Sequence, residues 1–188
     1  AKVVAECVQA QQSVIVGFVD DNPNAKLFEF THLGKYLPSS GYECSFVIAI
    51  GENKIRKKVS ELITHPIVST LHPSSAVSPS AQIGKGSMIF HQAVIQSDTK
   101  IGKHVILNTS CQVDHDCLVG DFVHICPGAI LCGNVAVGEG SLIGAGSVIL
   151  PGLKIGKWCT VAAGSVVTKS VPDGTTVVGS PARVKRIK

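Results

Sequence analysis

Aromatic side chains are scarce in this chain. Phe, Trp and Tyr together make up 5% of its 188 residues, so no core of packed rings is available, and any interior must be built from Val, Ile, Leu and small residues. Charge is also thin, at 16% Asp, Glu, Lys and Arg against 45% hydrophobic residues, which argues against a disordered chain. The net charge of +4 is modest. Its basic residues gather in KIRKK (54–58) and RVKRIK (183–188) without a helix-turn-helix, zinc-finger or RNP pattern around them, so no nucleic-acid partner is expected. Every apolar run is broken by Gly, Asp or Lys, which leaves neither a signal peptide nor a membrane span. The seven cysteines lack the spacing of a disulfide scaffold and read as reduced thiols of a cytoplasmic protein.

What remains has two textures. Residues 1–70 read as a small α/β unit: a helix through about Gln12, a buried strand VIVGFVDD (14–21), a second strand CSFVIAIG (44–51) and a charged helix from about Asn53 to Ile63. Both strands end in acidic residues or glycine, where a mostly parallel sheet places its ligand. Asp20, Asp21 and Gly51 are therefore candidate binding residues.

Residues 71–188 carry a period of six. Every sixth residue from Val77 to Val167 is Val, Ile or Leu, and two positions earlier stand mostly small residues such as Ala81, Cys111, Ser147 and Cys159. Gly84, Gly102, Gly120, Gly138 and Gly156 add an 18-residue superperiod. Three hexads per coil predict a parallel β solenoid of triangular section, with the aliphatic residues inside and the glycines relieving corner torsions.

That register interprets VDHDCLVGDFVH (113–124). Val113, Cys117 and Val119 point inward, Asp114, His115 and Asp116 lie at an exposed corner, and His124 faces outward on a flat side. The two histidines are half a coil apart, so they meet only across an interface between subunits, and a zinc site shared in that way stays open beside catalysis and structural trim. A histidine beside a carboxylate suits a general base. Spacing does not choose between Asp114 and Asp116. Gly133, 18 residues on, stacks about 4.8 Å above His115 and offers an N–H to a reacting oxygen.

The stretches FVDDN (18–22), FVIAIGENKIRKK (46–58), ILNTSCQVDHDCLVGDFVHICPGAILCGNV (106–135) and VVGSPAR (177–183) resemble the hexapeptide-repeat, left-handed β-helix sugar acyltransferases. The nearest branches are bacterial N-acetyltransferases of nucleotide-linked 4-amino-6-deoxy sugars and sialic acid O-acetyltransferases. The resemblance implies a Rossmann-like nucleotide-sugar domain followed by the β-helix, a homotrimer, and acetyl-coenzyme A as cosubstrate between helices. The family's first strand and glycine-rich loop, expected just before AKVV, are not in this sequence.

By the same resemblance His115 is the catalytic base, Asp116 its helper, Asn108 a supporting residue, and Gly133 the oxyanion donor. His124 is placed near the thioester, and Ala145 and Ala163 line the cofactor groove. Gly144, Gly146, Ala162 and Gly164 keep that surface low, and Arg183, Lys185 and Arg186 are candidates for the coenzyme phosphates. The expected reaction is acetyl transfer from acetyl-coenzyme A to the 4-amino group of a nucleotide-activated 4-amino-4,6-dideoxy sugar, directly and without a cysteine intermediate. Alternatives are O-acetylation of a sugar hydroxyl such as that of sialic acid, a zinc-dependent β-helix carbonic anhydrase, and a noncatalytic solenoid.

Overall fold

A computed structural model describes residues 1–185. From Thr70 to Val167 the chain folds into seventeen two-residue strands separated by turns. Strands 18 residues apart pair in parallel, Ile89 with Leu107 and His124 with Leu142 among them, and so build three flat faces of a left-handed β-helix. The first face carries Thr70–Leu71, Met88–Ile89, Ile106–Leu107, His124–Ile125, Leu142–Ile143 and Thr160–Val161. The second carries Ala76–Val77, Val94–Ile95, Gln112–Val113, Ile130–Leu131, Val148–Ile149 and Val166–Val167. The third runs from Gln82–Ile83 through Lys100–Ile101, Leu118–Val119 and Ala136–Val137 to Lys154–Ile155. Strands Thr176–Gly179 and Ala182–Val184 close the C-terminal end as an antiparallel hairpin.

Alternation of inward and outward residues makes the core. Ile89, Leu107, Val113, Ile125, Leu131, Ile143, Ile149 and Val161 are fully buried in one continuous column. Beside them Cys111, Cys117, Ser141, Ser147, Cys159 and Ser165 fill the narrow remainder. The polar members are satisfied locally, as where Ser141 Oγ donates to Gly156 O at 2.7 Å.

The five superperiod glycines do a different job from the one expected of them. None has a positive φ; the left-handed residues of those turns come two places later, at Gly86, His104, Phe122, Gly140 and Trp158. What glycine permits is close stacking. A Cβ on Gly84 would lie 2.4 Å from the Gly102 carbonyl carbon, and one on Gly138 would lie 2.6 Å from that of Gly156. The corner is stacked backbone on backbone, with no room for a methyl.

In the N-terminal part, helix α1 (Lys2–Ala10) and helix α2 (Asn53–Leu62) form where the apolar spacing predicts them. Glu52 caps α2, accepting from Lys54 N at 3.1 Å and Ile55 N at 2.5 Å. The two expected strands do not form ladders. Segments 14–21 and 44–51 make only single parallel bridges, Phe18 to His32 and Phe46 to Ile67. A ladder needs a neighbour along the whole strand, whereas residues 31–34 pair only with 18–20, and 66–68 only with Phe46. Val14 and Val16 accordingly remain 87% and 60% exposed. The unit packs on the first face through Val4 and Cys7 against Met88, Phe90 and Ile106.

Candidate active site

The corner joining the second and third faces carries Asp114, His115 and Asp116. Asp116 occupies the left-handed turn position with φ 58°, which aims its carboxylate back along the chain. Its Oδ2 lies 2.8 Å from His115 Nδ1, while Asp114 Oδ1 accepts the His115 backbone N–H at 2.8 Å. The choice left open by spacing is thus made by geometry: Asp116 holds the ring and Asp114 holds the turn. The Asp116 hydrogen bond, then the Asp114 charge, push the His115 pKa above its ordinary 6.5. With Nδ1 protonated toward Asp116, Nε2 is left as the proton acceptor.

Gly133 lies against that acceptor. A Cβ there would come within 2.7 Å of both Cε1 and Nε2 of His115, so only glycine lets the ring rest in place. Among the described residues the Gly133 N–H has no hydrogen-bond partner.

Asn108 and His124 are elsewhere, where the first face turns into the second. Within one chain Asn108, expected as a supporting residue of the site, contacts His124 and not His115. Its Nδ2 lies 3.1 Å from His124 Nε2, and its Oδ1 accepts from Thr109 N at 2.8 Å. That second bond orients the amide so that Nδ2 donates to His124 Nε2, leaving the imidazole proton on Nδ1. Burial, followed by the nearby Arg56 charge, lowers the His124 pKa to about 4, so the ring is neutral. A full solenoid face separates this pair from His115.

Above Asn108 the same corner is built from small residues. Gly144, Ala145 and Gly146 are followed one coil later by Ala162, Ala163 and Gly164, with Gly164 N donating to Ala145 O at 2.8 Å. A Cβ on Gly144 would meet Ala163 N at 2.5 Å, and beyond Gly146 and Gly164 the space is open. Arg183 and Lys185 are exposed on and beside the terminal hairpin; Arg186 lies outside the described residues. Asp20, Asp21 and Gly51 are exposed in the N-terminal unit. Asp20 Oδ1 accepts from Asn22 N at 2.9 Å, and Gly51 O accepts from Arg56 Nη1 at 3.1 Å, which brings Gly51 to the His124 side of the molecule.

A hollow of about 830 Å³ along the third face contains none of these groups. It is an open trough floored by Gly102, Gly120, Gly138 and Gly156, a product of the glycine corner. Burial pushes the Cys111 thiol up to about 12 and raises Cys117 and Cys126, so these three are not poised as nucleophiles. No cluster of metal-ligating side chains occurs among the described residues, and no described helix is long and apolar enough to cross a membrane. Arg56 was missed in the sequence, where it reads as one more solvated base of KIRKK; it is fully buried.

A coil of hexapeptide repeats with a histidine–carboxylate pair on its rim defines a class, the β-helix acyltransferases. The family descriptions that match are "PglD N-terminal domain" over residues 1–63 and "Bacterial transferase hexapeptide (six repeats)" over 116–151 and 134–169. Among solved structures, the acetyltransferase domain of PglB from Neisseria gonorrhoeae FA1090 is 36% identical, with 97% of this chain and 93% of that one covered, at a TM-score of 0.91. A histidine-to-alanine mutant of GDP-perosamine N-acetyl transferase from Caulobacter crescentus, in complex with CoA and GDP-perosamine, is 33% identical over 98% of this chain and 91% of that one, at 0.95. WeeI from Acinetobacter baumannii AYE is 32% identical over 95% and 91%, at 0.85. No curated protein sequence gives a significant match. The chain belongs to the hexapeptide-repeat sugar N-acetyltransferases.

Proposed function

We propose that the protein transfers the acetyl group of acetyl-coenzyme A to the 4-amino group of a nucleotide-linked 4-amino-4,6-dideoxy sugar. The observation that carries this reading is the His115–Asp116 pair at 2.8 Å resting on Gly133, in a chain that superimposes along nearly all its length on a GDP-perosamine N-acetyl transferase. The amine attacks the thioester carbonyl as His115 Nε2 takes its proton. Asp116 stabilises the imidazolium, and the Gly133 N–H offsets charge on the tetrahedral oxygen. As the C–S bond breaks, the imidazolium returns the proton to the coenzyme thiolate. His124 and Asn108 border the donor groove formed by Gly144, Ala145, Ala163 and Gly164, with Arg183 and Lys185 toward its phosphate end. Residues 1–70 supply the nucleotide-sugar side through Asp20, Asp21 and Gly51, and residues from 71 onward supply the transferase side.

The character of the faces supports a homotrimer. The outward residues of the second face are Ala76, Val94, Gln112, Ile130, Val148 and Val166, uncharged and mostly β-branched, whereas the third face carries Lys100 and Lys154 and the first is partly covered by the α/β unit. Packing three second faces around a threefold axis puts the His115 corner of one subunit beside the His124 corner of the next, and completes three sites. In such a cytoplasmic trimer the two histidines work together although one chain holds them apart.

A coenzyme A release assay over UDP-, GDP- and dTDP-linked 4-amino sugars tests the activity. Release with an amino sugar, and a product heavier by one acetyl group, is expected. Release only with a hydroxyl acceptor such as sialic acid would replace this reading with O-acetylation.

A further inference from the structure

Arg56 is an unusual residue for the surface of a helix. Its relative exposure is 0%, and all five N–H donors are used. Nε donates to His104 O at 2.9 Å, Nη1 to Ile50 O at 3.0 Å and Gly51 O at 3.1 Å, and Nη2 to Asn53 Oδ1 at 2.9 Å and Phe122 O at 2.8 Å. Not one acceptor is a carboxylate, and among the described residues no ion pair involves it. Burying an unpaired charge costs several kcal/mol before its hydrogen bonds offset the loss. If stapling α2 to the solenoid were the whole task, an apolar side chain would serve as well.

The acceptors show what the charge is attached to. Ile50 and Gly51 form the segment leading into α2, on the proposed nucleotide-sugar side. His104 and Phe122 are equivalent turn residues of successive coils, and Phe122 stands two residues before His124. The guanidinium thereby fixes both the Gly51 carbonyl and the strand start that carries His124, whose ring feels the Arg56 charge and the Gly51 carbonyl. The other charged and titratable groups around this junction are Glu52 at the cap of α2, which faces Arg56, and His104 with Asp121, Lys103 and Lys85 on the corner beyond it. No carboxylate lies within ion-pair distance of His124 among the described residues.

We infer that Arg56 is a positioning residue that couples the nucleotide-sugar segment to His124, its rigid five-donor fork holding the Gly51 carbonyl and the start of the His124 strand in one fixed relation. The inference rests on the proposed place of His124 at the donor groove. Lysine cannot replace it fully, because an ammonium supplies the charge without the planar fork.

The test has two arms on the intact protein. In the first, histidine side-chain NMR follows the titration of His124 in wild type, Arg56→Gln and Arg56→Lys, assigned with His124→Asn. Arg56→Gln is expected to raise the His124 pKa from about 4, whereas Arg56→Lys leaves it low. In the second, Arg56→Gln and Arg56→Lys each lower kcat/KM roughly tenfold in the wild-type background and change it less than about twofold when His124 is already Asn. Arg56→Lys keeps the second arm available if Arg56→Gln does not fold. An unmoved His124 titration in folded Arg56→Gln, or equal losses with and without His124, overturns the inference. The NMR arm needs no substrate, so wild-type protein inactive on every amino sugar would count against the proposed reaction and leave the coupling to be judged by titration alone.

Discussion

His115 and Asp116 set the pH response. A general base must be neutral to accept a proton, and the Asp116 hydrogen bond and the Asp114 charge raise the His115 pKa above 6.5. Activity should therefore fall as pH drops through a value above 6.5. Asp116→Asn removes the leading cause of the shift. It should move that acidic limb of the kcat–pH profile to lower pH while reducing the plateau at least ~10²-fold, because the imidazole loses its orientation and its stabilised charged form. Asp114→Asn should move the limb less. A limb unchanged by Asp116→Asn would remove His115 from the role of base. Much of this site was legible in the sequence, because DHD falls at a corner once the hexads are counted and Gly133 then stacks one coil on. Arg56 was not legible: whether an arginine in a basic helix meets water or four carbonyls depends on how α2 packs on the solenoid, and local spacing carries no information about that. The partner of Asn108 was hidden for a similar reason, since the amide direction is set by Thr109 N.

At the scale of the element, the repeat makes each coil depend on its neighbours. Gly138 illustrates the cost of a single atom. Its Cβ would lie 2.6 Å from both Gly156 C and Lys157 N, which are backbone and cannot swing aside. Gly138→Ala should lower unfolding stability by about 1–3 kcal/mol in denaturant titrations, far from any proposed catalytic group and with little change in kcat of the folded enzyme. A neutral outcome would mean that the coils can separate locally at this corner. The same stacking explains why the β-helix was legible to the residue: a period of six holds without interruption from Val77 to Val167, and each strand finds its partner 18 residues away. The glycine superperiod was equally visible, yet its cause was not, because intercoil contact and turn torsion both select glycine. The α/β segments 14–21 and 44–51 were misjudged because apolar, β-branched runs encode extended backbone, whereas a ladder also requires a neighbouring strand.

For the whole molecule, the central claim is that one catalytic centre is shared between two subunits. His115 stands at one edge of the uncharged second face, and His124 with Asn108 at the other. In the proposed trimer, threefold packing would join the unlike edges in a fixed order, so that each site would take His115 from one subunit and His124 from the next. The direct measurement is acetyltransferase activity after co-expressing His115→Ala and His124→Ala chains, each of which alone assembles into a trimer with activity reduced at least ~10²-fold. Random mixing leaves roughly one site in four with both histidines intact, since each site draws from two independently chosen subunits. The account predicts recovery of about a quarter of wild-type kcat per chain in the whole co-expressed population, with one intact site in each mixed trimer; a co-expressed population no more active than the two parents would contradict it.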